Sequence, residues 1–361
     1  MKNFIKYAIS LFFLPVILVL RLFTVKNKYL FFSPLGMKGN VKYLYEFYKS
    51  KGEYCEFIEI KHISLRQYVR FVFSFVRVRA IFLTHGLGQL PLVCILVPRV
   101  QLWHGFPFKN ILLNSPYDLN KFKFAFLNKI YKIYYRVRIY LSYTYLITSD
   151  SILGRRLATS FGYGDRKVLF FGSPSQEIAE SAIRESNTNS FRILYLPTWR
   201  DGSDNIKHIL SEIKSVFESN FLTENNIDFI IKLHPYELKR IEVEQFENAN
   251  IKFIDSDVDD MVGFYLGFDC LITDYSSACF EFAPVSNNVI FYTPDIDAYI
   301  YNRGFDNHMS EMIKITGIRN IHDLRDAILQ LYNGEKYFAL DYFSYVGSSK
   351  GCMESIYAKF R

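Results

Sequence analysis

Short β-rich apolar runs alternate with helical stretches along the chain, and this alternation occurs twice. The runs of the first half are residues 29–33, 54–60, 80–84, 100–103, 145–148 and 167–170. After a polar stretch without aromatic residues at 173–190, a candidate linker, they restart at 192–196, 229–233, 251–254, 270–273 and 289–292. Strands that alternate with helices form parallel sheets. The sequence therefore predicts an α/β protein with two doubly wound Rossmann-like lobes, joined near residue 180.

The two halves carry opposite charge, although the net charge of the 361 residues is only +7. Residues 1–180 hold 26 Lys and Arg against 9 Asp and Glu, and the remainder holds 17 against 27. With half of the residues apolar and 22% charged, the composition excludes a disordered, collagen-like or polytopic membrane chain. A basic first half indicates that this lobe lies against an anionic partner.

Two basic-aromatic segments stand out in the first half, at residues 66–79 and 121–138. In the second segment Lys129, Lys132 and Arg136 follow a helical spacing. These segments fit either a membrane headgroup boundary or ordinary helices with basic solvent faces. No RNA- or DNA-binding motif is present, so a nucleic acid partner is not expected.

The N-terminal residues 1–25 form a candidate membrane-associating segment. Residues 7–20 are apolar except for Ser10 and Pro15, and basic residues flank them. A spanning helix needs about 20 apolar residues, which residues 4–23 supply only if Lys6 and Arg21 extend to the headgroups. We expect a half-inserted, monotopic or peripheral anchor on an anionic leaflet, with a single span or a helix docked on the protein as alternatives.

Neither metal nor cofactor chemistry is indicated. The five cysteines are scattered without C-x-x-C spacing, which favours buried thiols in a reducing compartment. Dinucleotide-binding, P-loop, zincin and α/β-hydrolase motifs are absent. We therefore expect no metal site and no cofactor.

Two histidines follow apolar strands, one in each half. In WHGFPFK, His104 comes at a strand end, with Phe106 and Lys109 beyond it. In KLHP, His234 is followed by Pro235, which stops the strand. A neutral imidazole at such a position can accept a proton from a hydroxyl near neutral pH. A purely structural role is the alternative for each.

Further candidates follow the strands of the second half. Thr273, Asp274, Ser276 and Ser277 precede an apolar-periodic helix, whose N-terminal N–H groups suit a phosphate; simple helix capping is the alternative. In LPTWRD, Trp199 could stack on a base, and Arg200 could pair with a phosphate or with Asp201. Two histidines, hydroxyls and arginines suit a donor that carries a diphosphate. A weaker candidate for the same edge is Arg303.

Together these motifs resemble the CDP-glycerol glycerophosphotransferases of wall teichoic acid and capsule synthesis. WHGFPFK is similar to that family's W-H-G-T-P-x-K, LPTWRD to A-P-T-W-R-D, KLHP to L-K-L-H-P, and LITDYSSACFEFA to L-I-T-D-Y-S-S-x-x-F-D-[YF]-A. The motifs occur in the family's order over residues 30–310, and the length resembles the primase-like members. The resemblance implies a GT-B fold with a first lobe at 26–180 for the acceptor and membrane. It implies a second lobe at 181–361 that binds the donor. The last helix of the chain is a candidate to pack back on the first lobe.

The implied reaction transfers glycerol phosphate, or a related alditol phosphate, from CDP-glycerol to a hydroxyl of a lipid-linked or saccharide acceptor at the cytoplasmic face of the bacterial membrane, with release of CMP. The resemblance makes His104 the general base and has His234 hold the diphosphate. It places Phe106 and Lys109 on the acceptor side. It implies that the donor is bound by the residues that follow the strands of the second half, namely Thr273, Asp274, Ser276, Ser277, Trp199, Arg200 and Arg303.

The sequence departs from the family pattern at three places. Phe106 replaces a small Thr, residues 172–177 lack the Arg of G-Y-P-R-N-D, and no P-G-P stretch follows Arg303. Because of these departures, the resemblance leaves open which acceptor and which alditol the protein uses. Two alternative functions remain. One is a GT-B glycosyltransferase that uses a nucleotide sugar, and the other is a non-catalytic membrane scaffold.

Overall fold

The structure is a computed structural model that describes residues 2–59, 63–182, 190–200, 205–217, 220–255, 258–303, 307–335 and 342–361. The strands in these residues are β1 Lys28–Phe32, β2 Tyr54–Ile58, β3 Val78–Leu83, β4 Arg99–Gln101, β5 Tyr145–Thr148, β6 Val168–Phe170, β7 Phe191–Leu196, β8 Ile227–Ile231, β9 Ile251–Phe253, β10 Cys270–Thr273 and β11 Val289–Phe291.

The α-helices connect these strands. They are α1 Lys2–Phe23, α2 Gly39–Ser50, α3 Leu65–Ser74, α4 Pro116–Leu119, α5 Ala125–Ser142, α6 Ile152–Phe161, α7 Pro174–Ser181, α8 Asn205–Phe217, α9 Phe221–Glu224, α10 Pro235–Leu238, α11 Met261–Tyr265, α12 Ala278–Phe282, α13 Ile296–Arg303, α14 Asn307–Thr316, α15 Ile321–Tyr332, α16 Tyr342–Val346 and α17 Cys352–Phe360.

The strands form two parallel sheets. The first has the order β2-β1-β3-β4-β5-β6 and the second the order β11-β10-β7-β8-β9. Pairing is parallel throughout, as in Tyr29 opposite Cys55 and Ala80, or Leu194 opposite Leu271 and Ile230. The predicted α/β class with two Rossmann-like sheets is confirmed. The apolar runs predicted these strands because a strand covered on both faces has apolar residues at every position, as in the fully buried β1.

Two compact units contain the sheets. One comprises Met1–His104, Leu112–Ile178 and Val346–Arg361, and the other Gly105–Ile111 and Ala179–Tyr345. The sequence assigned residues 26–180 to the first lobe without interruption, so 105–111 differ from that prediction. Helix α17 lies in the first unit, where the Tyr29 hydroxyl donates to the Phe360 carbonyl over 3.2 Å.

The stretch predicted as a linker, 173–190, begins as helix α7, while residues 183–189 lie outside the described residues. Tertiary contacts order this polar segment. The Glu177 carboxylate accepts hydrogen bonds from the backbone N–H groups of Gly351 and Met353, at 2.9 and 2.7 Å, and so caps α17. Gln176 accepts a bond from the Ser349 hydroxyl. Composition alone could not predict these contacts, because their partners lie about 170 residues further along.

Helix α1 is docked along one side of the first unit. On the docked side Ser10 and Ile17 are completely buried. The Ser10 hydroxyl accepts a hydrogen bond from the Val93 N–H at 3.1 Å. The Arg21 guanidinium donates hydrogen bonds to the carbonyls of Phe75 and Val78. The opposite side exposes large apolar side chains, Leu11, Phe12, Val19, Leu22 and Phe23. By length and composition Ile5–Phe23 could cross a membrane.

Candidate functional site

His104 follows β4 through a strained turn. The strand ends at Gln101 rather than at Trp103, and Trp103 adopts a left-handed conformation with φ 55°. A non-glycine residue in that region costs about 1–3 kcal/mol and needs external support. Buried amides supply the support. Asn40 Nδ2 donates to the Leu102 and Trp103 carbonyls at 3.2 Å, and Gln101 Oε1 accepts the Trp103 N–H at 2.9 Å.

Asn40 links this turn to the segment that departs from the family pattern. Its Oδ1 accepts hydrogen bonds from the Ser173 hydroxyl at 2.8 Å and from the Ser175 N–H and hydroxyl at 2.9 and 2.7 Å. The nitrogen and the oxygen of the Asn40 side-chain amide are therefore both engaged in hydrogen bonds. The serines of residues 172–177 therefore support the loop that presents His104.

The proton positions on His104 follow from its backbone partner. Nδ1 lies 3.2 Å from the Thr84 carbonyl, and because a carbonyl oxygen only accepts, Nδ1 carries the hydrogen. The neutral ring therefore has its lone pair on Nε2. Desolvation by the surrounding protein lowers the pKa of His104, partly opposed by the bond to Thr84, although part of the residue is exposed to solvent. Such an imidazole is neutral at pH 7 and can accept a proton at Nε2.

A cavity of about 390 Å³ lies beside His104 in the first unit. Its walls are mostly apolar, but α5 contributes the phenol of Tyr135 and the cation of Arg138, and α1 contributes Tyr7. Its other lining residues include His85, Leu87, Leu90, Leu112, Ile139 and Phe161. The cavity can admit a molecule that presents a hydroxyl to His104 and apolar groups to the walls.

His234 has the opposite tautomer from His104. It lies three residues after β8 and is the N-cap of α10, where Nδ1 accepts the Tyr236 N–H at 3.3 Å. Since Nδ1 accepts, the neutral ring carries its hydrogen on Nε2. The side chain is exposed, and desolvation lowers the pKa of His234. Tyr236 stacks on the ring with centroids 5.3 Å apart, and the Trp199 ring is 6.2 Å away. Sequence reasoning missed Tyr236, although it follows KLHP directly.

Arg200 and Asp274 belong to a buried ionic network within the second unit. Arg200 Nη2 lies 2.9 Å from Asp274 Oδ2, and Arg200 Nε lies 2.7 Å from Asp295 Oδ2. Burial lowers the pKa of Arg200, but the charge of Asp274 and the hydrogen bond to Asp295 outweigh it and raise the pKa. Asp274 also accepts the Thr198 N–H at 2.9 Å. The structure thus places Arg200 in an internal ion pair rather than open to a phosphate, and Asp201 lies outside the described residues.

The remaining donor candidates differ in accessibility. Thr273 is fully buried and its hydroxyl donates to the Leu196 carbonyl at 2.7 Å, so it joins β10 to β7. Ser276 and Ser277 are half-buried at the start of α12, and Ser276 Oγ accepts the Ala278 N–H at 3.2 Å. Arg303 ends α13, and its side chain lies outside the part of the chain that is described.

The segment after His104 packs into the second unit. Phe106 is buried in the core, and it is not among the residues that line the cavity beside His104; its acceptor role stays a prediction. Phe108 stacks on Phe280 at 5.3 Å, and Lys109 Nζ lies 5.0 Å from the centre of the Tyr299 ring. Burial of these aromatic rings explains why 105–111 leave the first unit.

Gly105 lies against a carboxyl group that the sequence did not single out. A Cβ at Gly105, where φ is +128°, would approach Glu281 Oε1 to 3.1 Å and Ser277 Oγ to 3.4 Å. Desolvation raises the pKa of Glu281 to about 7, against a weaker lowering by the Tyr265 hydroxyl. A residue with a side chain at 105 would strain the backbone and crowd this carboxyl group.

Comparison with known proteins agrees with the motifs. Residues 94–342, which include each residue named above as a candidate from the sequence, match the family model described as CDP-glycerol:poly(glycerophosphate) glycerophosphotransferase. A teichoic acid poly(glycerol phosphate) polymerase of Bacillus spizizenii is 30% identical over 220 residues, 57% of this chain and 54% of the relative. A teichoic acid glycerol-phosphate primase of Bacillus subtilis is 30% identical over 181 residues, 48% of this chain and 46% of the relative.

The chain therefore spans about half the length of these curated relatives. A solved structure of a variant of the wall teichoic acid polymerase TagF superposes with a TM-score of 0.68 at 18% identity, covering 99% of this chain and 96% of that one. This likeness supports the predicted GT-B-like fold.

Proposed function

Because the chain belongs to the CDP-glycerol:poly(glycerophosphate) glycerophosphotransferase family, we propose that it transfers glycerol phosphate, or a related alditol phosphate, from a CDP-alditol to an acceptor hydroxyl and releases CMP. The product belongs to a teichoic acid or capsule polymer. The observation that carries the proposal is the pair of opposite tautomers at the two strand-end histidines.

His104 is the general base of this reaction. The acceptor hydroxyl gives its proton to Nε2 of His104 as its oxygen bonds to the β-phosphorus of the donor. The bond between that phosphorus and the oxygen bridging to CMP breaks, and CMP leaves with the electron pair. The bond to Thr84 supports this role, because it keeps Nδ1 protonated and Nε2 free of hydrogen. General-base catalysis of this kind contributes about 10²–10⁴-fold to the rate.

His234 binds the diphosphate in the second unit. Its Nε2–H donates to a phosphate oxygen and stabilises the charge that grows on departing CMP. Trp199 and Tyr236, which lie beside this ring, offer aromatic faces to the cytosine or ribose. Ser276, Ser277 and Arg303 remain donor-binding residues in the proposal, whereas Thr273, Asp274 and Arg200 shape the strand ends on which the donor rests.

The cavity beside His104 receives the acceptor, for which we propose a lipid-linked saccharide. Its apolar walls and the Arg138 cation suit an amphiphile with an anionic group. Lys109 contributes to the acceptor side through its charge.

The enzyme acts at the cytoplasmic face of the membrane as a peripheral or monotopic protein. Helix α1 has Ser10 and Arg21 bound to protein on one side and exposes apolar side chains on the other. Helix α5 exposes Phe126, Ile130 and Ile133 beside its lysines and arginines. Exposed apolar groups next to cations suit insertion between anionic headgroups.

Release of CMP from a panel of CDP-glycerol, CDP-ribitol and nucleotide sugars, with a lipid-linked saccharide acceptor, tests the proposal. We expect CMP from a CDP-alditol, and about 10²–10⁴-fold slower release by His104→Ala with donor affinity retained. The control is His208→Ala, which removes an exposed imidazole on α8. Turnover of a nucleotide sugar alone would instead identify a glycosyltransferase, and unchanged turnover in His104→Ala would remove His104 from the mechanism.

A further inference from the structure

We propose that His85 is a positioning residue for His104, whose ring it packs against and holds in the orientation that presents Nε2 to the acceptor. The two imidazole centroids are 4.5 Å apart and the ring planes differ by 7°. This inference rests on the proposed function, since it concerns the base of that reaction. His85 lies outside residues 94–342 that match the family model, and no sequence motif includes it.

One residue, Thr84, orients both rings. It follows β3 and is buried, its carbonyl accepts the hydrogen of His104 Nδ1 at 3.2 Å, and its hydroxyl lies 2.9 Å from His85 Nδ1. The His85 carbonyl is held as well, by Gln101 Nε2 at 3.3 Å and the Tyr143 hydroxyl at 3.4 Å. Gln101 is the same residue that supports the Trp103 turn. Strands β3 and β4 thus bring the two imidazoles side by side, because they are neighbours in the sheet and Leu83 pairs with Gln101.

Close parallel packing of the two rings is unfavourable when both are charged, because like charges repel. Burial, and to a lesser extent His104, lower the pKa of His85 to about 4, so His85 is neutral over the working range. The other titratable or charged groups of the same cavity are Tyr7, Cys94, Tyr135, Arg138 and Tyr143, and of these Arg138 carries a positive charge. A neutral ring beside His104 excludes water from one face without adding charge.

Loss of the His85 ring has two consequences for His104. Water enters the space beside the ring, so the desolvation that lowers the pKa of His104 weakens and the pKa rises. The ring also gains freedom to rotate away from the productive orientation. Misplacement of a catalytic group by about 1 Å can cost up to about 10²-fold in rate.

The test compares His85→Ala with His85→Phe, which keeps a flat ring without nitrogen atoms. His85→Ala is expected to lower kcat about 10-fold or more, with KM for CDP-glycerol within about twofold, and to move the acidic limb of kcat/KM to higher pH. His85→Phe should recover most of kcat. Equal losses in the two variants, or an unmoved acidic limb in His85→Ala, would overturn the proposal.

A second readout is independent of turnover. NMR titration of the His104 ring, assigned with His104→Ala, should give a higher pKa in His85→Ala than in the wild type and an unchanged value in His208→Ala. If His85→Ala raises the pKa of His104 but no CDP-alditol is turned over by the wild type, the proposed function fails, while the effect of His85 on the His104 ring stands. If His104 titrates identically with and without His85, the positioning role fails whatever the activity.

Discussion

Arg200 Nη2 lies 2.9 Å from Asp274 Oδ2, in an ion pair whose side chains are 5% and 0% exposed. Asp295 adds a second carboxylate to the same guanidinium, which donates to it from Nε and Nη2. Asp274 also binds the backbone and hydroxyl of Thr198, so the network joins the ends of β7 and β10. The motif residues of LPTWRD and TDYSS are therefore connected to each other before any ligand binds.

Arg200→Met should destabilise the protein by about 3–5 kcal/mol, because it leaves buried carboxylates without their partner. The free energy of unfolding from urea denaturation measures the loss. Arg319→Met is the matched control, since Arg319 forms a 3.5 Å pair with Asp297 in which both side chains are more than half exposed; it should cost less than about 1 kcal/mol. Equal losses in the two variants would contradict the structural role of Arg200.

Donor affinity should depend on pH through His234. The pKa of His234 lies below its ordinary value, so the ring is neutral at pH 8 and becomes a cation as the pH falls through that pKa. Neither phosphate of CDP-glycerol titrates near neutrality, and binding in the wild type should therefore tighten at acidic pH. His234→Gln keeps an N–H donor but no titration, so calorimetry should give a flat profile for it. A flat wild-type profile would exclude His234 from contact with the diphosphate.

Glu281 should make stability fall as the pH rises. Its pKa in the folded protein is about 7, above the ordinary value, so the folded state binds the proton more tightly than the unfolded state. The resulting stability is complete below pH 4.5 and is lost as the pH rises to about 7. Glu281→Gln has no such dependence, and its free energy of unfolding relative to the wild type should increase by about 1–3 kcal/mol from pH 5 to pH 8. If the difference in free energy of unfolding between the two proteins stayed constant from pH 5 to pH 8, Glu281 would already be ionised at pH 5.

Membrane binding should have separable apolar and electrostatic parts. Phe12→Ser with Phe23→Ser, on the exposed side of α1, should reduce flotation with anionic vesicles without loss of stability. Lys129→Glu, Lys132→Glu and Arg136→Glu together should reduce binding mainly at low salt. Arg21→Ala, on the docked side, serves as the contrast, because it should lower the melting temperature instead. Equal wild-type binding to neutral and anionic vesicles would contradict the electrostatic part.

The strands and the strand-end histidines could be predicted from the sequence because their signals are local. An apolar run shows that a strand is buried, and the residue after it lies at the functional edge of a parallel sheet. The partners of Arg200 could not be predicted in this way, since Asp295 is 95 residues away and no spacing pattern connects them.

Other features required three-dimensional information. The burial of Phe106 depends on a segment that leaves one unit for the other, which composition does not encode. The tautomers of His104 and His234 depend on single hydrogen bonds to Thr84 and Tyr236. His85 follows β3 as His104 follows β4, but only the sheet order makes these two strands neighbours.

The left-handed Trp103 has a consequence for attempts to engineer this protein. Replacement by glycine would relieve the backbone, yet it would remove the indole that stacks on His104 at 4.4 Å and packs on Phe161 at 5.2 Å, and it would loosen the approach to the base. Relief of the backbone and the contact with His104 thus favour different residues at one position. Variants at Trp103 therefore need to be screened for activity as well as for stability.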